Sequence, residues 1–305
     1  MSEVKLHFDV VTKTPTLTGE DAKTSQAILT MLIGSHMKKA KAVVQQYGFL
    51  SIDKTGFIVR ASSFKGLLRV ASEYIVELKS IELGLGHAVC SFLDVEESIG
   101  FPSCALPIDL ENNEQRKKVE VFKKAKWIDI QDDKIVYNNY PCIPCAIFGA
   151  PGLKSLVRIS LNGDAVAPVE TTQYKLYFFN ELGRSKHQPE KKLNPLIFEA
   201  IKPGTIISLE ISFASNLAKL RGLRAKTCDP IQLGVATIWL AIQLINSGFF
   251  RLGRFKSRGL GRIEINPRED TLKMISEVLG AKPSPEAITK KAITILENEL
   301  KERLK

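Results

Sequence analysis

The sequence predicts an α+β fold in which one β-sheet carries helices on a single face. Three observations predict it. Stretches that alternate apolar and polar residues recur at the start, middle and end of the 305-residue chain. Between them lie stripes of apolar residues at three- and four-residue steps, the period of a half-buried helix. Their order along the chain is strand, helix, strands, helix, strand, with insertions.

VKLHFDVVTKTP, from Val4, alternates cleanly and stops at Pro15, and it reads as the first strand. Over 24–47, Ile28, Met31, Leu32, Val43, Val44 and Tyr47 fall mostly at helical steps, predicting a helix with Gly34 as its weak point. A short strand around 57–60 leads into ASSFKGLLRVASEYIVEL, where Phe64, Leu67, Leu68, Ala71, Ile75 and Leu78 line one helical face. Ser62 or Ser63 is the expected N-cap, because a short hydroxyl can accept from the free amides of a first turn. Residues 84–140 are irregular and rich in charge, Pro and Asn, with ENNEQRKKVEVFKKAKW as a helix; they read as an inserted lid rather than core. Strands return in LVRISL and YKLYFFNEL, are interrupted by the polar GRSKHQPEKKLNP, and resume in GTIISLEISF. The apolar run 231–245 predicts a buried helix, a Gly-rich loop follows it, and GRIEIN is the closing strand. A C-terminal helical extension, 268–305, holds a helix opened by PSPE, with Ile288, Ala292, Ile295, Leu296 and Leu300 as its stripe. This order is the modified ferredoxin-like arrangement, which also underlies the RNA-recognition motif (RRM).

The net charge of +10 favours polyanionic partners: nucleic acid, a membrane surface or an acidic protein. MSEVKLHFDV carries charges where a leader would need an apolar core, and the longest apolar run, 234–245, is too short to span a bilayer. A soluble cytoplasmic protein is therefore expected. Five cysteines, an odd number in a long chain, argue against a secreted disulfide scaffold and leave metal binding or simple burial.

FRLGRFKSRGLGRIEI, 250–265, concentrates the charge. Arg251, Arg254, Lys256, Arg258 and Arg262 supply cations, while Gly253, Gly259 and Gly261 remove side-chain bulk; Glu264 is the first acid. Amides freed by glycine and flanked by guanidinium groups suit a phosphate-ribose chain. The loop lacks the Gly-Lys-Ser/Thr ending of a nucleotide-binding P-loop. RASSFKGLLR points the same way: a helix N-terminus framed by Ser62, Ser63, Lys65 and Arg69, with Gly66 leaving room in the first turn. A basic turn or an ordinary helix start would account for either stretch alone; the pair is the stronger signal.

CIPC, Cys142 to Cys145, has the two-residue spacing that lets two thiolates reach one tetrahedral ion, and HAVC places His87 and Cys90 at the same spacing. Together they would form a closed structural Zn2+ site pinning the lid to the core, with Cys104 replacing His87 if the imidazole points elsewhere. Buried cysteines in an apolar motif are the alternative. His7, His36 and His187 show no partner spacing, and none is assigned as a general base.

TPTLTGED, RASSFKGLLR, CIPCAIFG, PLIFEAIKPGT and GRFKSRGLGRI, in this order, resemble the RAMP superfamily of CRISPR-associated proteins, in particular the backbone subunits of type III (Csm/Cmr) effector complexes. The resemblance implies a single RAMP domain over 1–305 that packs beside sibling subunits along a guide RNA and meets a complementary target RNA. It implies guide-backbone contacts from Ser62, Ser63 and Lys65 and from Arg254, Lys256, Ser257, Arg258, Gly259 and Gly261. A thumb hairpin is implied within 168–200, at ELGRSKHQPEKKL, and several members of the family bind zinc through the lid. Some members cut target RNA with a loop aspartate and a divalent ion; Asp21, beside Glu20, is the matching carboxylate, with Mg2+ as the ion. The alternatives are a standalone metal-independent endoribonuclease that processes CRISPR precursor RNA, and a generic RNA-binding protein of the same fold. Against the processing enzyme, Arg251-Leu252-Gly253 breaks the usual Gly-hydrophobic-Gly opening of its loop.

Overall fold

The computed structural model describes residues 4–16, 51–53, 56–58, 60–93, 104, 113–124, 127–131, 134–137, 141–161, 174–180, 195–214, 225–253, 256 and 259–304. The expected helix over 24–47, Asp21, the tip of the expected thumb, and Arg254, Ser257 and Arg258 lie outside them.

Alternation in β1 (Val4–Thr12) turns Leu6, Phe8, Val10 and Thr12 inward. The sheet forms around this strand. Its antiparallel order is β10 (Ile263–Pro267), β1, β9 (Ile206–Phe213), β6 (Val157–Leu161). Register sets Leu6 opposite Ile211, Phe8 opposite Leu209, and Val10 between Ile207 and Ile265. All of these are buried, so a slip of one residue would turn the whole apolar set to the open face.

Two helices cover the buried face. α1 (Ala61–Glu82) packs on β6 and on α4 (Pro230–Asn246), which also meets β10. Asp229 caps α4 by accepting from the Ile231 amide at 2.8 Å, and Pro230 stands at a position whose amide needs no partner. α4 is buried nearly all round and reaches the sheet through Gly234, where an added Cβ would sit 2.9 Å from the Phe213 ring.

α1 departs from expectation in two ways. Its N-cap is Arg60 with no side-chain cap, and Ser62 and Ser63 lie inside the first turn. The Ser63 amide is satisfied by the Arg60 carbonyl at 3.0 Å, so no hydroxyl is required there. Phe64, Leu67, Leu68 and Ala71 are buried as expected, but Ile75 is half-buried and Leu78 is exposed. The buried face swings toward Val76, Glu77 and Ser80, because the last turns pack on the following segment instead of the sheet: Ser80 Oγ donates to the Gly86 carbonyl at 2.7 Å.

The stretch 84–140, expected as a lid, holds α2 (Asn113–Lys124) and the hairpin formed, after β2 (Ser51–Asp53) and β3 (Gly56–Ile58), by β4 (Ile128–Gln131) and β5 (Lys134–Tyr137). It sends Val89, Cys90, Phe122 and Trp127 into the same apolar cluster as the sheet. β7 (Tyr174–Asn180) and β8 (Pro195–Ile201) make a separate two-stranded ribbon. The ribbon is rooted near the end of β1, where Thr16 and Ile201 exchange backbone bonds of 3.1 and 2.9 Å.

At the C-terminus, α5 (Glu269–Leu279) starts with two acids at its positive end and stops at left-handed Gly280. α6 (Pro285–Leu304) buries all five residues of its expected stripe. It also buries Glu299, which accepts from the Lys226 and Thr227 amides, Thr227 Oγ1 and Arg303 Nε. Arg303 in turn donates to the Pro141 carbonyl at 3.2 Å, next to Cys142. Among the described residues, no helix is long and apolar enough to cross a membrane.

Candidate metal centre and nucleic-acid interface

Four sulfurs converge at the base of α1. Cys142 ends the loop before α3 (Ile143–Phe148) and Cys145 lies in its first turn, so the two-residue spacing puts both thiols on one side. Cys90 comes from a single 3-10 turn after α1, and Cys104 completes the set. All four are buried, and their sulfurs lie within 4.8 Å of one another. Cys90 and Cys145 are 3.6 Å apart, and Cys142 and Cys90 are 3.7 Å apart.

This geometry fits a metal ion. Thiolates about 2.3 Å from a tetrahedral zinc stand roughly 3.8 Å from one another. Four protein ligands leave no open coordination position, which is the form of a structural site rather than a catalytic one. Cys145 titrates far below an ordinary thiol because it accepts from the thiols of Cys104, Cys142 and Cys90 and faces the charge of Arg69. Burial pushes Cys104 and Cys142 up. A divalent cation held by the four sulfurs would draw off the remaining thiol protons.

His87 is placed elsewhere. Its Nδ1 pairs with the buried carboxylate of Glu77, and its side chain is 48% exposed. Cys104 takes the fourth position, reached by the Cys142 amide at 3.4 Å. Glu77 also accepts from the Ala88 and Val89 amides at 3.0 and 3.1 Å, fixing the backbone that enters Cys90.

Arg69, expected among the RNA contacts, has partners inside the protein. Its guanidinium donates to Cys145 Sγ at 3.2 Å, to the Gly149 carbonyl at 2.9 Å and to Glu73 at 3.0 Å. A fork with donors in a fixed plane can hold all three at once. No spacing in the sequence signals this role, since Arg69 and Cys145 are joined only by the fold.

The basic loop closes on itself and then on the segment after β1. The Leu252 amide donates to the Gly261 carbonyl at 2.7 Å, the Gly261 amide to Pro15 at 2.9 Å, and the Arg262 amide to Thr14 Oγ1 at 2.9 Å. Gly261 has a positive φ of 79°, and a Cβ there would lie 1.9 Å from the Leu252 carbonyl oxygen. Its lack of a side chain is thus required by loop closure itself. A Cβ at Gly259 would lie 3.7 Å from Arg251 Nη1. Lys256 and Arg262 are exposed and Arg251 half-exposed; among the described residues none of the three meets a carboxylate.

At the start of α1, Ser62 is exposed and Ser63 and Lys65 are half-exposed. Burial and the charge of Arg69 lower the Lys65 pKa from its ordinary value. Gly66 is exposed with nothing within 4 Å of an added Cβ, so packing does not explain the glycine. Tyr74, further along α1, packs edge-on against Phe250 at 5.1 Å and ties the helix to the mouth of the loop.

The family model of the RAMP superfamily matches residues 9–264. No curated protein matches the chain in sequence. Among solved structures, a chain of a type IV-B CRISPR complex is similar with a TM-score of 0.44 at 13% identity, covering 87% of this chain and 90% of its own length. A chain of the type III-B Cmr-beta complex bound to cognate target RNA is similar with a TM-score of 0.40 at 13% identity, covering 87% of this chain and 59% of its own.

Proposed function

The chain belongs to the RAMP superfamily, and from that premise we propose that it is a guide RNA-binding subunit of a CRISPR effector complex, of the backbone type found in type III assemblies. The observation that carries this reading lies in the described residues of the loop at 251–262: backbone hydrogen bonds at Leu252, Gly259 and Gly261 hold a turn that presents Arg251, Lys256 and Arg262 without a carboxylate partner among the described residues. Unpaired cations on a pre-formed loop cost little to reorganise when a polyanion arrives. The start of α1, with Ser62, Ser63 and Lys65, is the second contact.

The ferredoxin-like reading of the fold belongs to the same proposal. Taking β1, β6, β9 and β10 as four core strands, with α1 and α4 as crossovers, the sheet runs fourth, first, third, second, which supports it. Cys90, Cys104, Cys142 and Cys145 would hold a structural Zn2+. The ribbon of β7 and β8 is the candidate thumb. Asp21 is assigned the carboxylate role in Mg2+-dependent target cleavage; unchanged cleavage by an assembled complex carrying Asp21→Ala would retire that assignment.

Affinity purification of the tagged chain from its native host tests the proposal. Recovery of partner subunits together with RNA of uniform guide length is expected. Cleavage of repeat RNA by the purified chain in EDTA, with no partners recovered, would overturn it in favour of a precursor-processing enzyme.

A further inference from the structure

Among the described residues Phe249 is the most exposed large aromatic side chain, at 65%. Leaving such a ring in water forfeits burial energy, and it is held in place while exposed. Phe250 braces it at 5.1 Å and 69°, and Tyr74, itself 43% exposed, lies 6.0 Å away. Phe250 and Phe92 support Tyr74 in turn at 5.1 and 5.5 Å, both edge-on. The result is an exposed ring packed against other aromatic rings at its base.

Charge decides what it faces. Phe249 adjoins Gly248, next to which the Arg262 guanidinium lies: an added Cβ there would be 3.6 Å from its Nε. Arg251 follows two residues later, and its guanidinium reaches Gly259 in the same loop. Among the described residues neither cation meets a carboxylate, and burying both under an apolar protein surface would strip their hydration without compensation. An exposed ring in a stretch with unpaired cations suits a nucleobase next to a phosphate, since every base offers a π-face and every linkage a negative charge. Val70, Leu78 and Ile81 extend apolar surface further along α1, but as aliphatic groups they offer no stacking face and are outside the assignment.

We propose that Phe249, braced by Phe250 and Tyr74, is a stacking platform for an unpaired base of the bound RNA, an inference that rests on the RNA-binding reading above. The platform contributes base contact without base identity, in series with the phosphate contacts of the loop.

The test compares the full chain with Phe249→Leu and Phe249→Trp, each checked for an unchanged melting temperature. Fluorescence anisotropy is read on two probes of equal length, a single-stranded RNA and the same ribose-phosphate chain without bases. Phe249→Leu should bind the RNA about tenfold more weakly, as expected for losing one stacked base, and the abasic chain as well as the unaltered protein does. Phe249→Trp should restore the difference. Equal RNA binding by Phe249→Leu and the unaltered chain would overturn the stacking role and leave phosphate binding intact. Failure of the unaltered chain to bind either probe would overturn the RNA reading and the platform together. Concentration-dependent self-association in sedimentation that Phe249→Leu abolishes, with RNA affinity unchanged, would reassign the ring to a contact between copies.

Discussion

Arg69 shows how one side chain changes meaning between chain and fold. In the sequence it is one cation in a basic helix start; in three dimensions its guanidinium holds a cysteine sulfur, a carbonyl and a carboxylate. Groups that orient a metal ligand typically alter affinity 10–100-fold when removed, so Arg69→Leu should weaken Co2+ binding about tenfold, read from the thiolate-to-cobalt absorption band. The fourth ligand is decided in the same assay. Cys104→Ser should abolish the tetrahedral band, whereas His87→Ala should leave it intact, because His87 pairs with Glu77 instead. The opposite pattern would restore the histidine as a ligand. The spacing of CIPC pointed to two of the four clustered sulfurs and HAVC to a third. The choice between His87 and Cys104 could not be read locally, since it depends on which way the chain turns after α1.

At the scale of elements, three glycines in basic or apolar stretches look alike in sequence and differ in cause. Gly261 permits a backbone contact that any side chain forbids, so Gly261→Ala should open the loop and weaken RNA binding as strongly as removing a cation. Gly234 lets α4 approach Phe213, and Gly234→Ala should destabilise the fold by about 1–3 kcal/mol through overpacking. Gly66 meets neither constraint. Gly66→Ala should raise stability by up to about 1 kcal/mol through helix propensity. If the open space serves RNA, the same variant should lower affinity; unchanged affinity would make the glycine incidental. The helices α1 and α4 and the stripe of α6 were legible because their apolar periodicity matches their burial. The swing of the buried face along α1 was not, because its last turns answer to the segment 85–90 rather than to the sheet. α5 was read only as part of the 268–305 extension, although Leu272, Ile275 and Leu279 fall at helical steps and Gly280 marks its end.

Across the whole molecule, distant parts of the chain are fastened by buried ionic contacts. Burial alone would raise the pKa of Glu299, but the hydrogen bond and charge of Arg303 and the amides of Lys226 and Thr227 hold it below an ordinary glutamate. A carboxyl depressed in the folded state stabilises fully above its unfolded pKa, about 4.3, and loses that contribution as pH falls through the lower folded value. Glu299→Gln should therefore flatten the acid limb of the stability profile below about pH 4.5 while lowering stability at neutral pH. The core strands themselves were readable, because each carries its own alternation, but their neighbours in the sheet were not. The ribbon pairing of β7 with β8, and its rooting at Thr16, depended on contacts that no local pattern encodes. The central claim is that the loop at 251–262 and the start of α1 act together on a ribose-phosphate strand. It is tested most directly by the salt dependence of binding to several unrelated single-stranded RNAs, measured for the unaltered chain and for Lys65→Ala with Arg262→Ala. The account predicts that the double variant weakens all sequences alike and flattens the log-log salt slope by about 1–2 units, as two phosphate contacts are lost. An unchanged slope, or a loss confined to one sequence, would contradict it.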